Sequence, residues 1–227
     1  MSERLMRYEL KMLCPGTQVA QLHLWMQLHP AGLRTAYPAR WVNSLYFDTY
    51  QFSALTDNLD GVALRNKLRL RWYGDVQPAV QPILELKHKR GLVGMKEQVV
   101  LARDVNLSDR WCAILSRVRD GLPPLWASRF QTTTQPVLLN RYWREYYLTA
   151  DRTVRVTLDS RQVAYEQRLA ARPNLRIPLP IDDLLVIEIK ADQTYVDRVQ
   201  AVANAFPICR TRNSKYARGM LASLYSP

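Results

Sequence analysis

Polar and apolar residues alternate one for one in eight stretches of the chain. These are Arg7 to Met12, Ser44 to Asp48, Lys67 to Trp72, Ile83 to Lys89, Lys96 to Leu101, Val137 to Tyr147, Thr153 to Asp159 and Leu184 to Ala191. A period of two belongs to a strand whose two faces differ, so the pattern predicts eight strands. Helical spacing recurs in Thr17 to Leu28, Asp109 to Val118, Thr194 to Phe206 and Ser214 to Tyr225. Gly61, Gly74-Asp75, Pro78, Pro82, Gly91 and Gly94 mark turns, and Gly121 to Pro124 separates two helical pieces. Short connections favour antiparallel pairing, because a parallel crossover needs a dozen or more residues. The expected class is α+β with an antiparallel sheet.

The polar face of these strands is largely basic. Arg7, Glu9 and Lys11 share one row, Lys67, Arg69 and Arg71 a second, and Glu85, Lys87 and Lys89 a third. Arg155, Thr157, Asp159 and Arg161 form a fourth row, and Glu188 and Lys190 stand opposite Ile187 and Ile189. An antiparallel sheet with one wet face is the ordinary cause of alternation. Like charges crowded on one face repel, however, and a solvated face usually mixes signs. Enough amphipathic helix exists to cover the apolar face from outside, which permits a barrel with its charges turned inward. Along each row the charges recur every 6.5 to 7 Å or so, two residues of extended chain, a spacing suited to a linear polyanion. Arg offers a planar fork to phosphate and Lys a mobile point charge. Carboxylates such as Glu9, Glu85 and Glu188 would repel phosphates unless a divalent cation bridges them.

The 32 Lys and Arg against 20 Asp and Glu leave a formal charge of +12 on 227 residues, which strengthens the case for an anionic partner. That length suits one domain, 1–227. Cys14, Cys112 and Cys209 are too scattered for a disulfide framework, and His23, His29 and His88 have no zinc-site spacing. Any metal should be hard and bound by oxygen. With no signal-like or membrane-spanning apolar run, a cytoplasmic protein without membrane insertion is expected.

With these residues in view the sequence resembles the VTC domain, the polyphosphate polymerase domain of the vacuolar transporter chaperone complex and its bacterial single-domain relatives. The resemblance rests on the order of segments Arg7 to Lys11, Ser44 to Thr49, Lys67 to Gly74, Leu84 to Lys89, Arg141 to Glu145, Arg155 to Asp159, Val186 to Lys190 and Ser214 to Gly219. It implies the eight-stranded antiparallel β-barrel of the triphosphate tunnel metalloenzymes (CYTH-like), with helices packed outside. It also implies transfer of the γ-phosphate of ATP to polyphosphate with release of ADP, using Mn²⁺ or Mg²⁺. Lys11, Arg69, Arg71, Arg141 and Arg155 would be the catalytic cations. Lys87, Lys96, Lys190, Ser214 and Lys215 would bind phosphates. Glu188 would be the principal metal ligand, with Glu9 beside it.

Three other functions share these features. The same lumen with water as acceptor would be a triphosphatase, and without turnover it would be a polyphosphate or inositol phosphate sensor. Nucleic-acid binding suits the charge but wants aromatic residues interleaved with the basic ones, whereas Trp72 alternates out of phase with Arg69 and Arg71. Glu97 and Gln98 after Lys96 predict a less basic tunnel mouth. The accessory domains of the fungal complex are not in this sequence, so a membrane-protein partner would supply any coupling to transport.

Overall fold

The computed structural model describes residues 7–90 and 93–225. Eight long strands are β1 (Arg7–Pro15), β2 (Arg34–Asp48), β3 (Leu64–Tyr73), β5 (Ile83–Arg90), β6 (Val93–Val100), β8 (Gln135–Leu148), β9 (Arg155–Glu166) and β10 (Leu184–Asp192). Two two-residue strands, β4 (Ala79–Val80) and β7 (Val105–Asn106), pair with each other as a clip. The helices are α1 (Val19–Leu28), α2 (Ser53–Leu59), α3 (Trp111–Asp120), α4 (Pro124–Gln131), α5 (Val196–Asn204) and α6 (Lys215–Tyr225).

The class is α+β, and the long strands form one antiparallel sheet in the order β1-β10-β9-β8-β2-β3-β5-β6. The sheet curls until its edge strands meet. Among the described residues that seam is a single register pair, Arg7 opposite Gly94. Among the described residues the expected barrel is therefore a sheet that curls round on itself and is joined at that one pair.

Burial shows which way the faces point. Apolar residues of β1, β9 and β10, including Met12, Val156, Leu158, Ile187 and Ile189, pack under Leu22 and Met26 of α1 and Val199 and Val202 of α5. On the far side Leu68, Leu70, Trp72, Leu84 and Leu86 pack under Ile114 and Val118 of α3 and Phe130 of α4. The helices thus cover the outer, apolar face, and the charged rows turn inward. Because apolar burial is the dominant favourable contribution to folding, this helical coat makes an inward polar face stable.

At the end where β2 stops and β3 begins, a helix packs against the inner face of the sheet. Helix α6 lays Tyr216, Ala217 and Met220 on Tyr46, Leu138 and Ala164. A Cβ on Gly219 would lie 2.5 Å from Leu138 Cδ2, so any larger residue would force the buried Leu138 side chain to shift. The buried carboxylate of Asp48 ties the same end together: it accepts from the backbone N–H groups of Thr49, Ala54 and Leu55 and from the Tyr216 hydroxyl.

Three local departures have physical causes. Strand β2 begins at Arg34, ten residues before the alternation predicts, because its first half is exposed on both faces and carries Pro38 amid register shifts. Helix α2 is only seven residues long and follows Phe52 in the left-handed region, φ 56°, so it has too few turns to show a period. Arg161 leaves the inner row because β9 bulges opposite Arg141/Trp143, and its own φ is 49°. No helix among the described residues is long and apolar enough to cross a membrane.

Candidate functional site

Each lumen position follows from strand parity. In β1 the inward residues are Glu9 and Lys11; opposite them in register stand Lys190 and Glu188 of β10, and beyond those Arg155 and Thr157 of β9. In β3, Lys67, Arg69 and Arg71 face inward beside Lys87 and Glu85 of β5, which in turn neighbour Lys96 and Gln98 of β6. Tyr142 and Arg144 complete the wall from β8, and Lys215 reaches in from the first turn of α6.

Three carboxylate centres organise these cations. Glu85 is fully buried; its Oε2 accepts from Arg69 Nε at 2.8 Å and lies 3.5 Å from Arg71, while Oε1 accepts from Gln98 at 2.5 Å and Lys96 at 3.2 Å. Burial alone would raise its pKa, but Arg69, Arg71 and Lys96 outweigh this and hold it at about 2. Asp159, also fully buried, takes both arms of Arg144 at 2.5 and 2.6 Å and the Lys215 ammonium at 2.6 Å. Glu188 lies 2.5 Å from Lys190, 3.3 Å from Arg144, 3.4 Å from Lys11 and 3.9 Å from Lys215. Burial opposes its ionisation, yet Lys190, Lys11, Arg144 and Lys215 together hold it well below the usual carboxylate range. Glu9 is close by, 3.0 Å from Lys11, 3.6 Å from Lys87 and 3.8 Å from Lys190.

Most of the residues expected at the site therefore converge: Lys11, Arg69, Arg71, Lys87, Lys96, Lys190, Lys215, Glu9 and Glu188 line one lumen, and Arg155 stands opposite Lys190 on the same face. Ser214 caps α6, accepting from the Ala217 N–H at 3.2 Å, and its hydroxyl also accepts from Lys67 at 2.9 Å. Arg141 is the exception. It lies on the outer face, 2.9 Å from Asp75 and stacked 4.1 Å over the Trp41 ring, and Arg144 three residues on holds the inward position. Glu97 also points outward, to His88 and Arg129, so of the two residues after Lys96 only Gln98 dilutes the lumen charge.

Arg144, Asp159 and Lys67 went unassigned from sequence. Arg141 and Arg144 are an odd number of residues apart, so they occupy opposite faces, and nothing local tells which face is the inner one. Among the described residues Lys67 donates only to neutral partners, Asn58 Oδ1 at 2.5 Å and Ser214 at 2.9 Å. Burial, with Lys87, Lys11, Arg65 and Arg69 nearby, pushes its pKa down to about 7.

A bound anion favours the charged form of Lys67 and so raises its pKa. Affinity for tripolyphosphate is then greatest below pH 7 and falls as pH rises above it, by up to about tenfold per pH unit until the pKa of the complex is reached. Calorimetric titration between pH 6 and 9 checks this: the Lys67→Met protein should show a shallower profile, and identical profiles would deny Lys67 the role.

The lumen carboxylates are oxygen donors and suit a hard divalent cation. Among the described residues no three His, Cys, Asp or Glu side chains cluster as a ready-made cage. Glu188 and Glu9 offer two oxygen donors, a number that suits Mg²⁺, which usually completes its shell with phosphate oxygens and water in phosphoryl-transfer sites.

The family model for the VTC domain matches residues 6–224, nearly the entire chain. The chain belongs to the VTC domain family. No curated protein matches this VTC domain at a significant level. Among solved structures it is similar to PH1819 from Pyrococcus horikoshii OT3, at 14% identity and TM-score 0.51, covering 96% of this chain and 99% of that one. It is likewise similar to HpAC1 from Hippeastrum, whose dominant activity is that of a triphosphatase, at 14% identity and TM-score 0.51, covering 95% and 94%. A Vibrio parahaemolyticus protein assigned as an adenylate cyclase matches at 12% identity and TM-score 0.51, covering 92% and 95%. At these identities the likeness is one of fold.

Proposed function

We propose that this VTC domain is a metal-dependent phosphotransferase that makes polyphosphate from the γ-phosphate of ATP and releases ADP. The observation that carries the reading is the lumen itself: eight side-chain cations, Lys11, Arg69, Arg71, Lys87, Lys96, Arg144, Lys190 and Lys215, face four carboxylates, Glu9, Glu85, Asp159 and Glu188. Buried charge of one sign in such excess calls for an anionic ligand.

Phosphoryl transfer asks for alignment and charge stabilisation more than covalent chemistry. A terminal oxygen of the acceptor chain bonds to the γ-phosphorus as the bond from that phosphorus to the β–γ bridging oxygen breaks, and ADP leaves with the electron pair. Arg69 and Arg71, locked by Glu85, and Arg144 and Lys215, locked by Asp159, present fixed donors to the equatorial oxygens, so little reorganisation is needed when charge develops there. Arg155 and Lys190 extend this wall along β9 and β10. A Mn²⁺ or Mg²⁺ ion held by Glu188, with Glu9 near, would neutralise phosphate charge. The protein would work in the cytoplasm, with a separate membrane protein supplying any transport.

Incubation with ATP and Mn²⁺ tests the reading. An acid-labile polymer on a gel, with ADP released in equal measure to phosphate incorporated, supports it. ADP and free orthophosphate with no polymer would make the domain a triphosphatase, the activity of its fold neighbour HpAC1. Tight binding with no turnover would make it a sensor.

A further inference from the structure

In the middle of the lumen Lys11, Arg69, Arg71, Lys87, Lys96, Arg144, Lys190 and Lys215 each have a carboxylate within 4.0 Å. The matching stops at the end where β3 begins and β5 ends. There Arg65 and Lys89 stand directly opposite each other in register, on the inward face. Like charges in that position repel. Arg212 approaches from the segment leading into α6, and both Arg65 and Arg212 act electrostatically on Lys89. None of the three forms an ion pair with a carboxylate among the described residues, and the one carboxylate that acts on Lys89, Glu9, is already shared by Lys11, Lys87 and Lys190. Between Arg212 and Ser214, both side-chain amide atoms of Asn213 are buried without a hydrogen-bond partner, while its carbonyl accepts from Lys11 at 3.2 Å. Unpaired polar atoms beside uncompensated cations mark a place prepared for an anion.

The other end of the lumen differs in kind. Arg40 lies 4.0 Å over the Tyr73 ring and 5.4 Å from that of Tyr146, with Tyr37 packed edge-on against Tyr146. Rings with a stacked guanidinium offer surfaces to a planar group, whereas the Arg65–Lys89 end offers bare charge. A phosphate chain without a nucleoside fits the latter.

We propose that Arg65, Lys89 and Arg212 form a rim subsite that grips the part of a polyphosphate chain extending beyond the lumen, as acceptor or product, and contributes little to holding the donor triphosphate. The proposal rests on the reading of the lumen as a phosphate-chain site. Long chains are then distinguished from short ones by this rim, and tripolyphosphate is held by the cations deeper inside.

Equilibrium binding of tripolyphosphate and of a long-chain polyphosphate, each over a range of salt, tests this in the native protein and in the triple variant Arg65→Gln/Lys89→Gln/Arg212→Gln. The native protein should bind the long chain about tenfold or more tighter per molecule, with a steeper salt dependence. The triple variant should bind tripolyphosphate as before, lose the preference for length, and lose about one unit of salt slope per cation removed. The single variant Lys89→Gln gives the same readout in smaller measure if the triple variant folds poorly. A variant that keeps the full length preference overturns the rim subsite and leaves the lumen intact. Should the native protein bind neither ligand, the reading of the lumen fails and the rim falls with it.

Discussion

Replacing Arg69 with Met should both unfold and silence this protein. Arg69 is the principal partner of Glu85, which is fully buried at 0% exposure and sits 2.6 Å from the Arg69 guanidinium. Without it the carboxylate keeps Lys96 and the more distant Arg71 but loses its closest charge, and breaking one side of a buried pair costs about 3–5 kcal/mol. Urea denaturation should show a loss of that size at neutral pH. The loss should shrink in acid: the folded pKa of Glu85 is depressed to about 2, so its pairing stabilises the fold above the unfolded carboxylate range and is lost as pH falls toward 2. Turnover of ATP by the folded fraction should fall about 10²- to 10³-fold, the usual effect of removing one preorganised donor. Arg141→Met is the contrasting result. Its side chain pairs outside with an exposed Asp75, and exposed pairs contribute about 0–1 kcal/mol, so stability and turnover should stay close to native. A collapse of turnover in Arg141→Met with Arg69→Met active would reverse the placement of the two residues.

Glu188→Gln should separate charge from shape. The amide keeps the volume but removes the one negative group shared by Lys190, Lys11, Arg144 and Lys215. If Glu188 holds the divalent ion, metal-dependent turnover should fall about 10²- to 10³-fold, since a bound metal is worth several kcal/mol of charge stabilisation. Binding of tripolyphosphate without metal should instead stay or tighten, because the lumen has gained net positive charge. This split between turnover and metal-free binding is what a merely structural Glu188 would not produce. Unchanged metal-dependent turnover in a folded Glu188→Gln protein would remove it from the metal site.

The lumen explains why a carboxylate and a cation row occupy the same strands. Arg and Lys at this density could not be buried unpaired, so Glu85, Asp159 and Glu188 hold them in place in the absence of ligand. Phosphate oxygens can then exchange with carboxylate oxygens at a wall already positioned to receive them, which lowers the ordering cost of binding.

Alternation alone was enough to find the eight long strands, though not the first ten residues of β2, and to put Lys67, Arg69 and Arg71, or Glu85 and Lys87, on common faces, because a period of two is a local property of extended backbone. The ordered segments carried the family. Local pattern could not say that the charged face was the inner one: a wet outer face alternates identically, and only the packing of α1, α5, α3 and α4 over the apolar side decided it. The same limit misplaced Arg141 and hid Arg144, since parity within Arg141 to Glu145 is known but its absolute sense is set by neighbours distant in sequence, Asp159 and Glu188. Arg161 was lost to a bulge, which shifts parity without any signal in the alternation before it. Which carboxylate locks which cation was likewise a matter of tertiary structure, because Coulombic partners such as Lys215 and Asp159 meet through space and share no sequence neighbourhood.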